Sequence, residues 1–100
     1  MNKQEFLNAI CGKAVKVTID GIEVEIRSLT VIETQKITSF KDELEASMQA
    51  IIMGLVSPQL ETGDVEYLKN AQPGFVFKLA REISKISGLV ESDESPTLGN

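Results

Sequence analysis

Apolar and polar residues alternate most regularly between residues 14 and 27. The sequence there reads AVKVTI, then Asp20-Gly21, then IEVEIR, and Asp-Gly between two alternating runs is typical of a hairpin with a two-residue type I′ turn. Pairing about this turn sets three opposite pairs: Ile19 with Ile22, Val17 with Val24, and Val15 with Ile26. These side chains share one aliphatic face, and a two-stranded hairpin is not stable alone. We therefore expect a hairpin over residues 14–28 whose apolar face packs on helices.

Residues 43–57, ELEASMQAIIMGLVS, are apolar on more than one face if they are helical. One stripe at helical spacing comprises Leu44, Met48, Ile51, Ile52 and Leu55, and a second comprises Ala46, Ala50 and Met53. A helix with two apolar faces must be covered on both, either by other elements of the chain or by a partner.

The start of this helical region is marked by Thr30 and Glu33, which have the spacing of a capping box. A helix is therefore expected from Val31, and Pro58 ends the region. Over residues 31–57 the pattern allows one long helix or two helices that meet near Lys41. We favour a break or bend within residues 39–42.

Three further helices are predicted. Residues 3–10 form a short helix with Phe6, Leu7 and Ile10 on one side, and these must find the core or stay loose. Asp64 is a candidate N-cap for a helix over 64–71 with Val65 and Leu68 facing inwards.

The last helix is predicted over residues 73–87, with Pro73 in its first turn and Gly88 after its end. Its inward stripe comprises Val76, Leu79, Ala80, Ile83 and Ile86. Phe75 and Phe77 cannot both lie on that stripe, so at least one of them is lateral or exposed.

These elements predict an α+β fold in which one β-hairpin packs against a small bundle of three to five helices. Residues 1–89 form a single domain, since a chain of 100 residues supports one modest core. Residues 90–100 are acidic and rich in Ser, Pro and Gly, so we expect a flexible tail there.

Charge and composition narrow the classes of function. The formal charge is −5, which disfavours nucleic acid as a partner. One cysteine, Cys11, excludes an internal disulfide framework, and the absence of histidine removes His-based catalysis and most zinc sites. No apolar run approaches the ~20 residues that span a bilayer, and the start MNKQEF lacks a signal-peptide core. These features predict a cytoplasmic protein with no membrane partner.

Candidate chemistry is sparse. Asp42, Glu43 and Glu45 form the densest acidic cluster, which is either a cation or acid–base site or a solvated helix face, and the second interpretation is favoured. Cys11 has no accompanying base, so an idle thiol is favoured over a nucleophile. We therefore expect a binding module with no catalytic residue, cofactor or metal, not an enzyme.

Several strings occur in an order that resembles the small tail assembly chaperones of long-tailed bacteriophages. They are the hairpin exit VEIRSLTVIET, the apolar helix MQAIIMGLVSP, the acidic short helix GDVEYL and the closing helix PGFVFKLAREISKISGL. Together they cover most of residues 15–89, and the ordered set carries the resemblance.

This resemblance implies a role in building the virion. Proteins of this family bind the tape measure protein, a long helical and apolar chain, and keep it soluble in the host cytoplasm while tail tube subunits polymerise around it. Self-association is typical, and in several members a frameshifted C-terminal extension recruits the tail tube protein. The alternative is a structural tail or head–tail joining subunit that stays in the virion.

The residues suggest which side chains contact a partner. A helix with two apolar faces, together with methionines and laterally placed aromatic side chains, offers an adaptable surface. A partner helix can cover such a surface. The candidate contacts are Met48, Ile52, Met53, Phe75 and Phe77. For the methionines, filling the core is the alternative role.

Overall fold

The computed structural model describes residues 1–90 of the chain. The elements follow in the order α1 (Lys3–Ile10), β1 (Val15–Ile19), β2 (Ile22–Ile26), α2 (Val31–Thr38), α3 (Glu43–Gly54), β3 (Leu55–Ser57), α4 (Val65–Leu68) and α5 (Pro73–Ile86). The strands form one antiparallel sheet in the order β1–β2–β3. The predicted α+β fold is confirmed, with a third strand added to the hairpin. Of the predicted tail, all but Val90 lies outside the described residues.

The hairpin has the register that the alternation predicts. All three expected apolar pairs are opposite one another, and Asp20 and Gly21 have φ values of 51° and 83°. Two successive positive φ angles are what a type I′ turn requires. Val24 and Ile26 on β2 are buried, whereas Val15 on the edge strand β1 stays exposed. The central strand therefore carries most of the sheet's contact with the core.

The helical region 31–57 consists of two helices, with the break at the predicted position. The Thr30 hydroxyl accepts from the Glu33 N–H at 3.1 Å, and the Thr30 N–H donates to Glu33 Oε1 at 3.0 Å, so the capping box is formed. The second helix begins after Asp42, whose Oδ2 accepts from the Glu45 N–H at 2.8 Å. The break lets α2 turn back and contact α3.

The prediction that this helical region continues to Ser57 is wrong for its last three residues, which form β3. Ser57 pairs with Glu25 and Leu55 with Ile26, while the Arg27 N–H donates to the Gly54 carbonyl at 2.9 Å. Two physical causes favour a strand here. A residue before proline is biased towards extended backbone, and the open edge of β2 offers hydrogen-bond partners that the last helical turn lacks.

The core lies between the sheet and the pair of helices α3 and α5. These helices pack so closely that an ideal Cβ at Gly54 would lie 2.9 Å from Ile83 Cγ2. The buried apolar residues are Ile19, Val24, Ile26, Leu29, Met48, Ala50, Ile51, Leu55, Val76, Leu79, Ala80 and Ile83. Because α3 also contacts α2 and α4, other elements cover it on several sides, as its two apolar stripes predict.

The short helix before α5 differs from its prediction. A 3₁₀ turn at Thr62–Asp64 leads into α4, which ends at Leu68 instead of residue 71. Asp64 occupies the predicted N-cap position of α4, but its side chain makes no capping hydrogen bond to that helix. Its Oδ2 instead accepts from the Glu61 N–H at 2.8 Å. Val65 and Leu68 pack against the core, as expected.

The closing helix matches its prediction to within one residue. Pro73 is its first residue, and Gly88 has a φ of 76° just beyond its end. The Leu89 N–H donates to the Ser84 carbonyl at 2.9 Å and the Gly88 N–H to the Lys85 carbonyl at 3.1 Å, which is a Schellman cap. Within residues 1–90, no helix has the length and apolar character needed to cross a membrane.

The first helix stands apart from the core. Asn2 and Glu5 form a capping box at its start, but none of its residues is buried. Phe6 is 51% and Ile10 63% exposed. The sequence left open whether these side chains join the core or stay loose. In the structure they do not join the core.

Candidate partner-binding surfaces

The five predicted contact residues do not form one surface. Met48 lies in the core and is 7% exposed, because its stripe on α3 packs against α5. Met48 therefore fills the core, the alternative role for the methionines. The other four lie on three separate grooves, which open on different parts of the molecule.

Ile52 and Met53 line one open groove, which we call the Met53 groove. It lies where the end of α3 runs into β3 and has a volume of about 390 Å³. Its lining residues are Arg27, Ile52, Met53, Leu55, Val56 and Gln59. Four of these side chains are aliphatic or thioether groups, so the groove offers an adaptable apolar floor with polar groups beside it.

One side of the Met53 groove is held by an ion pair between Arg27 and Glu33. Arg27 Nη2 lies 2.7 Å from Glu33 Oε2, and Nη1 lies 2.9 Å from Oε1, which is a bidentate contact. Nη1 also donates to the Ser28 carbonyl at 3.0 Å. The hydrogen bond from Arg27, helped by the backbone of Thr30, lowers the pKa of Glu33 to about 2. The pair thus fixes the start of α2 relative to the end of β2.

Phe77 lines a second groove, between α3 and α5, which we call the Phe77 groove. Its volume is about 400 Å³, and it is lined by Glu43, Ser47, Phe77, Ala80, Arg81, Ser84 and Val90. Phe77 is 38% exposed. The small side chains Ser47, Ala80 and Ser84 leave the groove open, so Phe77 forms a wall that a partner side chain can contact.

Phe75 lies apart from both grooves, at the end of the molecule that carries the hairpin turn. It is half-buried and lines a third groove with Asp20, Ile22, Ala71 and Gln72. Lys78 Nζ lies 2.8 Å from Asp20 Oδ1 and ties α5 to the turn. The sequence predicted that Phe75 and Phe77 cannot both face the core. Phe77, the more exposed of the two, is the one that does not.

The site prediction missed exposed apolar residues near the open end of the hairpin. They are Phe6, Leu7 and Ile10 on α1, and Val31 and Ile32 in the first turn of α2. The apolar side of α1 is visible in the sequence. A sequence pattern cannot show whether such a side is covered, because that depends on where the helix lies relative to the core.

The acidic residues and the thiol show ordinary local contacts. Asp42 serves as an N-cap, and Glu45 Oε2 accepts from Gln49 Nε2 at 3.2 Å. No group of three or more Cys, Asp or Glu residues in the described part of the chain is arranged to hold a metal ion. Cys11 is exposed, with Sγ 3.3 Å from the Leu7 carbonyl oxygen.

Comparisons with known proteins give no relative. No protein-family model, curated protein or solved structure matches this chain. Function is therefore inferred from the residues and from the grooves described above.

Proposed function

We propose that this protein is a tail assembly chaperone of a long-tailed bacteriophage. It binds the tape measure protein in the host cytoplasm, keeps it soluble while the tail tube assembles, and is absent from the mature virion. The order of the strings from the hairpin exit to the closing helix supports this proposal. An extension after the acidic tail would recruit the tail tube protein.

The Met53 groove is the observation that carries the proposal. A long helical and apolar chain presents side chains at i, i+3, i+4 and i+7, and such a stripe is recognised by an open apolar groove. Ile52 and Met53 at the end of α3, with Val56 in β3, supply that surface. A thioether adapts to side chains of different shape, which suits a chaperone that meets successive segments of one long partner.

The direct test is co-expression with the tape measure protein from the same genome. The fraction of tape measure protein that stays soluble and co-purifies with a tagged copy of this chain is measured. We expect Met53→Lys to reduce that fraction several-fold, because a charge is placed in the apolar groove. Met53 is partly buried against the core, so circular dichroism is used to select for this comparison a Met53→Lys protein that is folded.

Tyr67→Lys is the matched control. Tyr67 is 77% exposed on α4 and lines none of the three grooves described above. Recovery of the tape measure protein should be unchanged in this variant. Equal recovery of the tape measure protein with wild type, Met53→Lys and Tyr67→Lys would contradict a role for the Met53 groove. If the tape measure protein is insoluble even in the presence of the wild-type chain, the proposed function itself is contradicted.

Phe77→Ala tests whether the second groove also contacts the partner. If Phe77 is a contact, the variant weakens binding with little loss of stability, since the side chain is only partly buried. A loss of several kcal/mol in the free energy of unfolding would show instead that Phe77 belongs to the core.

The alternative is a structural subunit of the tail or of the head–tail joint. The protein content of finished particles distinguishes this role from that of a chaperone. A chaperone is present during assembly and missing from purified particles. Recovery of this chain from particles in fixed stoichiometry, measured by mass spectrometry, would establish the structural role instead.

A further inference from the structure

The chain turns sharply where α5 ends. Gly88 has a φ of 76°, and the Leu89 N–H donates to the Ser84 carbonyl at 2.9 Å. A Schellman cap of this kind changes the direction of the backbone at the residue with positive φ. The turn decides where the next residues lie, and Val90 is the last residue that the structure describes.

Val90 lies in the Phe77 groove. It lines this groove together with Ala80 and Ser84 of α5 and Ser47 of α3. The chain therefore leaves the cap back along α5 and not away from the domain. Because Val90 is 39% exposed, it occupies one end of the groove and leaves the rest of it open. The open part leads from Ser84 towards Phe77.

The residues that follow Val90 have the length and the size that this open part needs. Phe77 and Ser84 are separated by about 10 Å along the helix, and an extended chain advances about 3.3 Å per residue. Residues 91–93, which read Glu-Ser-Asp, therefore reach Phe77. Side chains alternate along an extended segment, so Ser92 faces the same way as Val90, towards the floor.

Charge at the rim suits an acidic segment over the first part of this course. Among the described residues, Arg81 is the basic side chain and Glu43 the acidic side chain that line the groove. Arg81 shares a helix face with both Phe77 and Ser84, so it lies beside the middle of the groove. Both lysines of α5 have carboxylate partners, at 2.8 and 3.1 Å. Arg81 therefore attracts the carboxylate of Glu91, and Glu43 opposes a longer acidic segment.

We propose that residues 91–93 lie extended in the Phe77 groove of their own chain, with the Glu91 carboxylate against Arg81. The occupant follows from the course of the chain, because Val90 is already in the groove and the next residues are tethered to it. This placement holds the segment against the domain, in contrast to the flexible tail expected from composition. A partner that contacts Phe77 must first displace it. The inference goes beyond the proposed function, since it concerns the free protein.

A tryptophan reporter tests whether the groove is covered. The chain contains no tryptophan, so Phe77→Trp supplies a single one at the wall of the groove. Quenching of its fluorescence by acrylamide is compared between the full chain and a chain ending at Val90, which keeps the whole core. The quenching constant should rise about twofold without residues 91–100, because the ring loses its cover. Glu91→Lys in the full chain should also raise it, since like charges then meet at Arg81.

Phe75→Trp is the control reporter. Phe75 is half-buried on α5 but lines the groove beside the hairpin turn, so its quenching should stay unchanged when residues 91–100 are removed. Circular dichroism verifies that both reporter proteins are folded. Equal quenching of Phe77→Trp with and without residues 91–100 would overturn the proposal. An equal rise in both reporters would overturn it as well, because it would show a loosening of the whole domain.

Disulfide formation tests the orientation of the segment in the full chain and needs no tryptophan. In a Cys11→Ser background, Ser47→Cys on the floor of the groove is combined with either Ser92→Cys or Asp93→Cys. With oxidised glutathione as the oxidant, the pair that includes Ser92→Cys should close several-fold faster, because its side chain faces the floor and that of its neighbour faces away. In denaturant the two rates should be equal.

Equal rates of disulfide closure in the folded protein would show that the segment is not held in the groove, and would overturn the proposal even if Phe77→Trp does not fold. Both measurements use the purified chain without the tape measure protein. A negative result therefore leaves the proposed function standing, and failure to keep the tape measure protein soluble leaves this inference standing.

Discussion

Glu33 illustrates how one side chain can connect a sequence signal to a long-range contact. Its position three residues after Thr30 predicts a capping box, which the structure contains. The same carboxylate also accepts two hydrogen bonds from Arg27, at the end of β2. The capping residue therefore also joins the sheet to α2, and this second role is not evident from the spacing.

The Glu33 carboxylate should make stability depend on pH. Its pKa is lowered from 4.5 to about 2 in the folded chain, so the folded state favours the ionised form. The stabilisation is fully present above pH 4.5 and is lost as the pH falls towards 2. In Glu33→Gln, which retains a side chain suited to the capping box, the free energy of unfolding should be about 0.5 to 1 kcal/mol lower at pH 7. The two proteins should converge near pH 2 in urea titrations; a constant difference across that range would contradict this role.

Val24 and Glu25 are neighbours on β2 with opposite surroundings. Val24 is buried, whereas Glu25 faces away from the core opposite Lys16. Val24→Lys should lower the free energy of unfolding by about 3 to 5 kcal/mol, because an unpaired charge enters the core. Glu25→Lys should leave the melting temperature nearly unchanged. Thermal unfolding followed by circular dichroism compares them, and equal losses would argue against the buried face described here.

Gly54 marks the point where α3 becomes β3. The close approach of Ile83 to its Cα leaves no room for a side chain, and its carbonyl accepts from the Arg27 N–H. The apolar pattern continues unbroken through Leu55 and Val56, so periodicity alone extends the helix. The strand forms because β2 has an open edge beside it, and that edge is contributed by residues some thirty positions earlier.

Gly54→Ala tests this packing. In an open helix, Gly→Ala would stabilise by about 0.5 to 1 kcal/mol, but here the added Cβ meets the buried side chain of Ile83. We expect a net loss of about 1 to 2 kcal/mol in the free energy of unfolding by urea titration. Gly63→Ala is the control, because nothing lies within 4 Å of an ideal Cβ there. A gain of stability in Gly54→Ala would show that α3 and α5 can separate without cost.

Across the chain as a whole, the stable core and the exposed helix α1 are separate parts. Within residues 1–90 the twelve buried apolar residues come from the sheet, from the Leu29 loop and from α3, β3 and α5, and none comes from α1. The apolar side of α1 is therefore available for a contact outside the core.

Deleting residues 1–11 should therefore change the free energy of unfolding by less than about 0.5 kcal/mol. The shortened chain keeps Gly12 against Ser28 and the complete hairpin. Leu79→Ala, in a buried residue, is the comparison and should cost about 2 to 5 kcal/mol. A loss of more than about 2 kcal/mol on deletion, measured by urea unfolding, would mean that α1 packs on the core in solution.

Local patterns were sufficient for the hairpin register, the capping box, the break before α3 and the cap after α5. Each of these depends on residues that are close in sequence, so spacing and residue type carry the information. The Asp20-Gly21 turn is the clearest case, because both residues tolerate the positive φ angles that bring the two strands together.

The third strand, the burial of Met48 and the exposure of α1 depend on contacts between distant parts of the chain. Leu55 pairs with Ile26, Met48 packs in the core with residues of α5, and none of the residues of α1 is buried. An apolar stripe indicates that burying its side chains lowers the free energy of the folded state, but it does not indicate which element buries them. The sequence pattern therefore shows which apolar side chains share one face of a helix or strand. Which of those faces are buried in the core and which stay exposed is decided by how the helices and strands pack in three dimensions.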